Sequence, residues 1–248
     1  MRLVLKICVC LALPALTVVR AQFPGGGPPG PPKTAKVAAL YDLTGYWVSV
    51  VTEDWRFRMV MPPKGDYTGV FLNLEGRKIA DAWDPAKDAA SDGQCKSYGA
   101  PILMSLPGRL HITWQDEQTL KIESDAGQQT RLLHFASADD AGPSWQGYSK
   151  ALWEMVPTNR GAPTVGSLKA VTTHLKPGYL RKNGVPYSAN ALLEEYFDSF
   201  TEANGDKWLV VTTIVTDPQY LAQPFITSTH FKGQSSAAGW NPSACEAK

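Results

Sequence analysis

The sequence predicts an all-β protein whose strands form an antiparallel meander that closes, or nearly closes, into a barrel or half-barrel. Short runs of β-branched and aromatic residues follow one another along the chain, and Gly, Asn and Asp turns separate them. Helical periodicity is confined to one short segment. About nine or ten strands with short connections favour closure, because a long open sheet would leave unpaired edges.

The first half of the chain carries most of its strand signals on either side of one helical segment. Alternating apolar and polar residues predict strands at 45–52, 55–60, 110–114, 119–123 and 128–135. A short helix is predicted from Leu74 to Trp83, because Ile79, Ala82 and Trp83 share a face and Pro85 stops the helix. We expect this helix to cap an end of the sheet.

The second half of the chain predicts strands at 148–154, 167–174, 192–200, 208–216 and 226–232. The segment that begins at Trp208 is apolar on both faces, which is typical of a central strand. The Asn204-Gly205-Asp206 turn precedes it and predicts an antiparallel connection to the strand before.

The N-terminal residues have the three parts of a signal peptide. Arg2 and Lys6 form a basic start, an apolar run covers 7–19, and small residues lead to Ala21. The run is too short to span a bilayer, so we expect cleavage after Ala21, a periplasmic or secreted product, and no stable membrane insertion. Residues 22–36 are rich in Pro and Gly and predict a flexible leader. A single domain would then cover 37–248.

Charge and cysteine content narrow the class further. Removal of residues 1–21 would change the formal net charge from +1 to −2, and the charged residues are scattered, which argues against a nucleic-acid partner. Only Cys95 and Cys245 would remain. Two lone cysteines in an oxidising compartment most simply form a disulfide; the alternative is a redox or nucleophilic thiol, but Cys245 lies too near the C-terminus to position chemistry well.

No catalytic motif names a reaction. The chain has no nucleophile elbow, no zinc-protease motif, no phosphate-binding loop and no dinucleotide fingerprint, and no cofactor is implied. The four histidines could converge on a metal, but they lack ligand spacing, so ordinary strand histidines are the simpler interpretation; they are His111, His134, His174 and His230.

Glu195 is the most informative carboxylate. It shares a strand face with Leu193 and Phe197, so if that face is interior, Glu195 needs a buried cationic partner, for which Arg56 and Arg58 are the candidates. The alternative is a surface-edge position.

Aromatic residues beside polar groups suggest a pocket for an apolar or sugar-like ligand, although ordinary core packing explains any single ring. The irregular segment 176–190 either carries function or is a hairpin connection with an Asn183-Gly184 turn.

Two resemblances add to these expectations. The segment Leu43-Thr44-Gly45-Tyr46-Trp47 resembles the Gly-x-Trp opening of lipocalins and other calycins. This resemblance implies a calycin-like barrel in which the Trp closes the floor and the mouth takes a small ligand.

From about Asp84 to Lys232 the chain is also similar to a large group of uncharacterised exported proteins of soil bacteria such as acidobacteria. Those relatives often carry a Gly-His-Pro-His segment where this chain has Gly184-Val185-Pro186-Tyr187. The similarity lies in Asp84-Pro85, Cys95 with Tyr98-Gly99-Ala100-Pro101, Trp145-Gln146-Gly147-Tyr148-Ser149 with Trp153-Glu154, Glu195-Tyr196-Phe197, and Asp217-Pro218-Gln219-Tyr220 with Pro224-Phe225.

Three functions follow as hypotheses. The first is an exported protein that binds a small apolar or amphipathic molecule in the barrel, with contacts from Trp47, Arg58, Trp114, Trp145, Tyr187 and Glu195. The second is a periplasmic enzyme acting on carbohydrate or a lipid-like substrate, with Glu195, Glu154 and a Tyr or Arg of 176–190 as acid/base candidates. The third is an envelope scaffold, which would have an exposed apolar patch and no pocket.

Overall fold

The computed structural model describes residues 33–91, 93–138, 142–156, 159 and 165–247. The predicted signal peptide at 1–21 and most of the predicted leader at 22–36 lie outside these residues. The last leader residues contact the barrel: the Lys36 amide donates to the Glu117 carbonyl at 3.2 Å, and the Trp153 indole donates to the Ala35 carbonyl at 3.1 Å. Packing against the barrel therefore begins before Val37.

Nine strands form a closed barrel, which confirms the predicted all-β class. Around the barrel the order is β1, β11, β10, β9, β6, β5, β4, β3 and β2, and β7 pairs with β8 in a separate hairpin. The strands are β1 Gly45–Val50, β2 Arg109–Trp114, β3 Thr119–Ser124, β4 Gln129–His134, β5 Tyr148–Val156, β6 Val165–Thr173, β7 Gly178–Arg181, β8 Val185–Tyr187, β9 Leu192–Thr201, β10 Lys207–Thr216 and β11 Phe225–Gln234.

One pair of neighbouring barrel strands departs from the antiparallel pattern. A closed ring with an odd number of strands cannot alternate direction throughout, and here β4 and β5 are parallel. Their junction is short, because only Leu133 with Ser149 and His134 with Lys150 are in register. The β10 strand, by contrast, pairs along its length with both β9 and β11, which confirms its predicted central position.

Short helices fill the long connection between β1 and β2. The predicted helix at 74–83 is confirmed as α2, and its first turn is capped by Asn73, whose side chain accepts from the Gly76 amide at 2.9 Å. The other helices in the described residues were not predicted. In chain order they are α1 Trp55–Arg58, α2 Leu74–Asp81, α3 Pro85–Ala89, the 3₁₀ helix Lys96–Tyr98 and α4 Ala100–Leu103.

The prediction of a strand at 55–60 is wrong. Asp54 adopts a left-handed conformation with φ 51°, and its carbonyl accepts from the amides of Phe57 and Arg58 at 2.8 and 3.1 Å. The chain therefore turns into α1 directly after β1. Neighbouring side chains point in different directions in a helical turn as well as in a strand. Alternation of apolar and polar residues over so short a segment therefore does not distinguish the two.

The segment 176–190 forms the β7–β8 hairpin, so the hairpin interpretation of its Asn-Gly turn is confirmed. The Gly184 amide donates to the Arg181 carbonyl at 3.2 Å, and Gly184 has a φ of 85°, which a residue with a side chain rarely adopts. A Cβ at Gly184 would lie 2.2 Å from Cγ of Trp83, the second residue after α2. The hairpin and the helical segment are therefore packed closely together.

Two apolar clusters form the core. The end cluster lies where the hairpin and helices pack on the barrel, and we call this the helical end of the barrel. The end cluster consists of Tyr67, Val70, Ala80, Ala100, Leu175, Leu180, Val185, Tyr187, Ala191, Leu193, Val215, Leu221 and Phe225. The barrel cluster fills the rest of the interior with large side chains that include Trp47, Ile112, Leu133, Leu168, Phe197, Leu209 and Phe231. Space for a ligand is therefore limited to the barrel ends.

The predicted disulfide is confirmed. Cys95 and Cys245 are bonded, with their Cα atoms 5.1 Å apart and a sequence separation of 150 residues. The Ser243 amide donates to the Asp125 carbonyl at 2.9 Å nearby. The bond thus fastens the C-terminal segment to the connection that carries the helices.

Candidate functional site

A layer of polar side chains separates the two apolar clusters inside the barrel. On β9, Glu195 lies between Leu193 of the end cluster and Phe197 of the barrel cluster. On β10, Thr213 lies between Val215 and Val211 in the same way. We call this set the polar layer; it consists of Arg131, Ser149, Thr172, Glu195, Thr213 and Thr227.

The centre of the polar layer is a fully buried ion pair. Arg131 donates to the Glu195 carboxylate, and the exposed fractions of their side chains are 1% and 0%. The same guanidinium donates to Thr172 Oγ1 at 2.7 Å and to Ser149 Oγ at 3.3 Å. A buried charge is costly unless it is paired and hydrogen-bonded in this way.

This pair corrects one prediction and confirms another. Glu195 does face the interior and does have a cationic partner, but that partner is Arg131 rather than Arg56 or Arg58. Arg131 shares a face of β4 with the buried Leu133, and this is the signal in the sequence that would have identified it. The surface-edge alternative for Glu195 is wrong.

Several buried atoms of the polar layer have no hydrogen-bond partner within the described part of the chain. They are Arg131 Nη1, Glu195 Oε1, Thr213 Oγ1 and Thr227 Oγ1. Buried polar groups in proteins are nearly always satisfied, by protein atoms, by water or by a ligand. The layer therefore retains both donors and acceptors that a bound molecule can use.

A pocket adjoins the polar layer at the helical end of the barrel. The space between its walls is about 350 Å³ with the part open to solvent included, and about 30 Å³ of it can hold the centre of a water molecule. We call it the arginine pocket, and its walls are Asp54, Phe57, Arg58, Ile102, Ser105, Leu180, Arg181, Phe225, Thr227 and Thr229. Since Thr227 belongs to both sets, the pocket meets the polar layer at β11.

The two arginines of the pocket have different surroundings. Arg58 donates to the carbonyls of Ser105 and Val50 at 2.9 and 2.8 Å and also to the Ser49 hydroxyl, and Glu53 lies 3.9 Å from its Nη1. Burial lowers the pKa of Arg58, although nearby carboxylates oppose this effect. Arg58 is thus occupied in holding α1 against the barrel.

Arg181 is the less occupied cation. Its Nη1 donates to the Thr68 carbonyl at 2.6 Å, and its guanidinium lies 3.9 Å from the centre of the Phe57 ring. Arg181 is only 8% exposed. Within the described ranges no carboxylate forms an ion pair with it. Burial lowers the pKa of Arg181, although the negative charges of Asp66 and Asp54 act to raise it. The guanidinium stays a cation at neutral pH.

The other predicted contact residues lie elsewhere. Trp47 is buried toward the opposite end of the barrel, where its indole donates to the Leu43 carbonyl at 2.9 Å. Trp114 packs on Phe135, and Trp145 lies beside the Lys176 ammonium. Of the six predicted contact residues, the structure places only Arg58 in the pocket and only Glu195 in the polar layer beside it.

Tyr187 belongs to the end cluster, where it is fully buried. Its hydroxyl has no partner among the described residues, and burial raises the pKa of its phenol.

The acid/base candidates are not brought together. Glu154 is exposed on the outer face of β5, whereas Glu195 is buried inside the barrel. Tyr179 of the hairpin donates to Asp88 at 2.8 Å, and burial, with that carboxylate, raises the pKa of Tyr179. Glu154 and Glu195 therefore do not face each other across a shared space.

The histidines contact different partners. The rings of His111 and His230 lie 3.2 and 2.7 Å from the carboxylates of Glu123 and Glu53, and His134 stacks on Tyr148. The described residues contain no group of three or more side chains suited to hold a metal ion.

Phe57 and the threonines of β10 and β11 were missed by the sequence prediction. Alternation in the sequence places Phe57 in a strand, and threonine is so common in strands that it carries no signal of its own. Arg181 lies within the segment 176–190, where a functional role was one of the two interpretations.

No helix in the described part of the chain is long and apolar enough to span a membrane. No protein-family model matches the chain, and comparisons with curated proteins and with solved structures found no match either.

Proposed function

We propose that this protein binds a small amphipathic molecule in the arginine pocket. The observation that supports this function best is Arg181, a mostly buried guanidinium that lacks a carboxylate partner in the described residues and lies against the pocket. A carboxylate or similar anion on the ligand would supply the missing charge through paired hydrogen bonds. The apolar part of the ligand would pack between Phe57, Leu180 and Phe225.

The pocket has the composition expected of a ligand site. Ligand pockets are mostly apolar, with a few polar groups that fix orientation, and here the walls combine apolar side chains with two guanidinium groups, the Asp54 carboxylate and the hydroxyls of Ser105, Thr227 and Thr229. The presence of a pocket also favours binding over the scaffold hypothesis, which predicts none. The barrel cluster fills the interior beyond the polar layer, so the ligand would lie at the helical end.

Export is part of the proposal. The Cys95–Cys245 disulfide supports an oxidising compartment, and the predicted signal peptide at 1–21 would direct the chain to the periplasm or the medium. Membership of the group of exported soil-bacterial proteins, and kinship with lipocalins, are likewise proposals that rest on the sequence motifs given above.

Titration calorimetry with hexanoate, octanoate and decanoate tests the function. We expect at least one carboxylate to bind the wild-type protein, and Arg181→Met to weaken it about tenfold, since a charge-assisted hydrogen bond is lost. Arg77→Met is the matched control, because Arg77 stacks on Tyr67 outside the pocket. The proposal is wrong if none of the three binds and native mass spectrometry of protein from its own host shows no bound small molecule.

A further inference from the structure

The partnerless atoms of the polar layer form a row that starts at the arginine pocket. Thr227 lines the pocket, Thr213 is its register partner on β10, and Glu195 is the register partner of Thr213 on β9. Neighbouring strands lie about 4.8 Å apart, so the row extends about 10 Å from the pocket along the interior face of the barrel wall. Arg131 meets its inner end through the ion pair with Glu195.

This row combines hydrogen-bonding capacity with electrical neutrality. Arg131 Nη1 needs an acceptor, Glu195 Oε1 needs a donor, and the hydroxyls of Thr213 and Thr227 are able to do either. The charges of Arg131 and Glu195 offset each other, so a charged group of a ligand would have no counter-ion in the layer. A neutral group that both donates and accepts fits this arrangement best.

We propose that the polar layer is the inner subsite of the arginine pocket and receives a hydroxyl or amide group of the ligand. This inference rests on the proposed binding function and names the ligand class more narrowly. A molecule with a carboxylate at Arg181, a short apolar chain and a neutral hydroxyl or amide at its other end satisfies both ends of the site. Thr227 and Thr213 would hydrogen-bond this hydroxyl or amide group and so select for ligands that carry one.

The hydroxyls of Thr213 and Thr227 should have opposite effects on stability and on ligand binding. A buried hydroxyl without a partner lowers the stability of the ligand-free protein, so a methyl group of the same shape in its place leaves stability unchanged or raises it. If the hydroxyl serves the ligand, the same change weakens binding. A hydroxyl with a structural role would behave in the opposite way.

The test compares octanoate, 8-hydroxyoctanoate and 1-octanol by calorimetry on the wild-type protein and on the Thr213→Val and Thr227→Val variants. We expect 8-hydroxyoctanoate to bind the wild type more tightly than octanoate does. Either variant should lower the affinity for 8-hydroxyoctanoate and for 1-octanol about tenfold, because one buried hydrogen bond is lost. Octanoate should bind wild type and variants equally. The melting temperature of the ligand-free variants should stay level or rise.

Thr229→Val is the matched control, because Thr229 also lines the pocket but its hydroxyl already donates to the Val211 carbonyl at 3.4 Å. This variant should leave the preference for 8-hydroxyoctanoate intact. One outcome separates the two proposals: octanoate does not bind, whereas 1-octanol binds and Thr213→Val weakens its binding. This outcome overturns the role of Arg181 but supports the inner subsite. The inference is wrong, and the layer holds only water, if the hydroxylated probes bind no more tightly than octanoate. The same conclusion follows if the Thr213→Val and Thr227→Val variants bind all three probes with wild-type affinity.

Discussion

Arg131 and Glu195 form their ion pair across the barrel interior, although β4 and β9 are not neighbours in the wall. The strands β5 and β6 lie between them, and each of these contributes a hydroxyl, Ser149 and Thr172, that contacts the Arg131 guanidinium. One guanidinium thus connects four strands of the barrel at the level where the two apolar clusters separate.

Glu195→Ala should lower the free energy of unfolding by about 3–5 kcal/mol, because it leaves the Arg131 charge buried and unpaired. Urea denaturation measures the change. The double variant Arg131→Met/Glu195→Leu should recover most of the loss, since apolar side chains of similar volume often replace a buried pair at little cost. A Glu195→Ala protein within about 1 kcal/mol of wild type would contradict the buried ion pair.

Loss of the disulfide should be costly. Because Cys95 and Cys245 are separated by 150 residues, the bond removes much chain entropy from the unfolded state, and Cys95→Ala/Cys245→Ala should lose about 2–5 kcal/mol of stability. Thermal unfolding of the wild type with and without a reductant gives an independent check. The wild type and the double variant should differ when oxidised and unfold at similar temperatures once the wild type is reduced.

Stability should fall in acid partly through Glu53. Burial acts to raise its pKa, but the hydrogen bond with His230 and the charges of His230 and Arg58 lower it below the usual value of 4.5. A carboxyl whose pKa is lower in the folded state contributes stability above its unfolded pKa and loses it as the pH falls through the folded pKa. Glu53→Gln should therefore lower the melting temperature at pH 7 and have little effect near pH 3.

The matched control for that titration is Glu202→Gln, at the exposed turn between β9 and β10. It should leave the pH dependence of the melting temperature unchanged. A Glu53→Gln protein with the wild-type pH profile would show that the contact between Glu53 and His230 does not form in solution.

Gly184→Ala should destabilise the β7–β8 hairpin for two reasons. The new side chain would hold a φ of 85°, and its Cβ would lie 2.2 Å from Trp83; together these effects should cost more than about 1 kcal/mol. Gly205→Ala is the control, since its φ is 89° and no atom lies within 4 Å of the new Cβ. Chemical denaturation of both variants should therefore give the larger loss for Gly184→Ala, and equal losses would contradict the packing against Trp83.

Most of the fold followed from local patterns in the sequence. The strand predicted at 208–216 is observed at Lys207–Thr216, and the disulfide followed from cysteine count and compartment. These features depend on strand periodicity and on chemistry that is visible without the tertiary structure. The helix α1 did not follow, because its single turn is specified by the conformation of Asp54 and by contacts of Arg58 with distant carbonyls.

The candidate site was predicted only in part, for a related reason. Alternation placed Glu195 inside, but the identity of its partner depends on which strands the closed barrel brings opposite each other. Thr213 and Thr227 look like ordinary strand residues until their register aligns them with Glu195. Long-range register of this kind is not encoded in any one segment.

The short parallel junction between β4 and β5 has a consequence for local opening. With only two residue pairs in register there, the backbone gives this part of the barrel wall little resistance to transient separation. The side chain of Arg131 spans the same junction through Ser149 and Thr172. Closure of the barrel thus depends on side-chain bonds where backbone bonds are fewest, and amide protons along β4 should exchange with solvent sooner when Arg131 is replaced, well before the molecule unfolds globally.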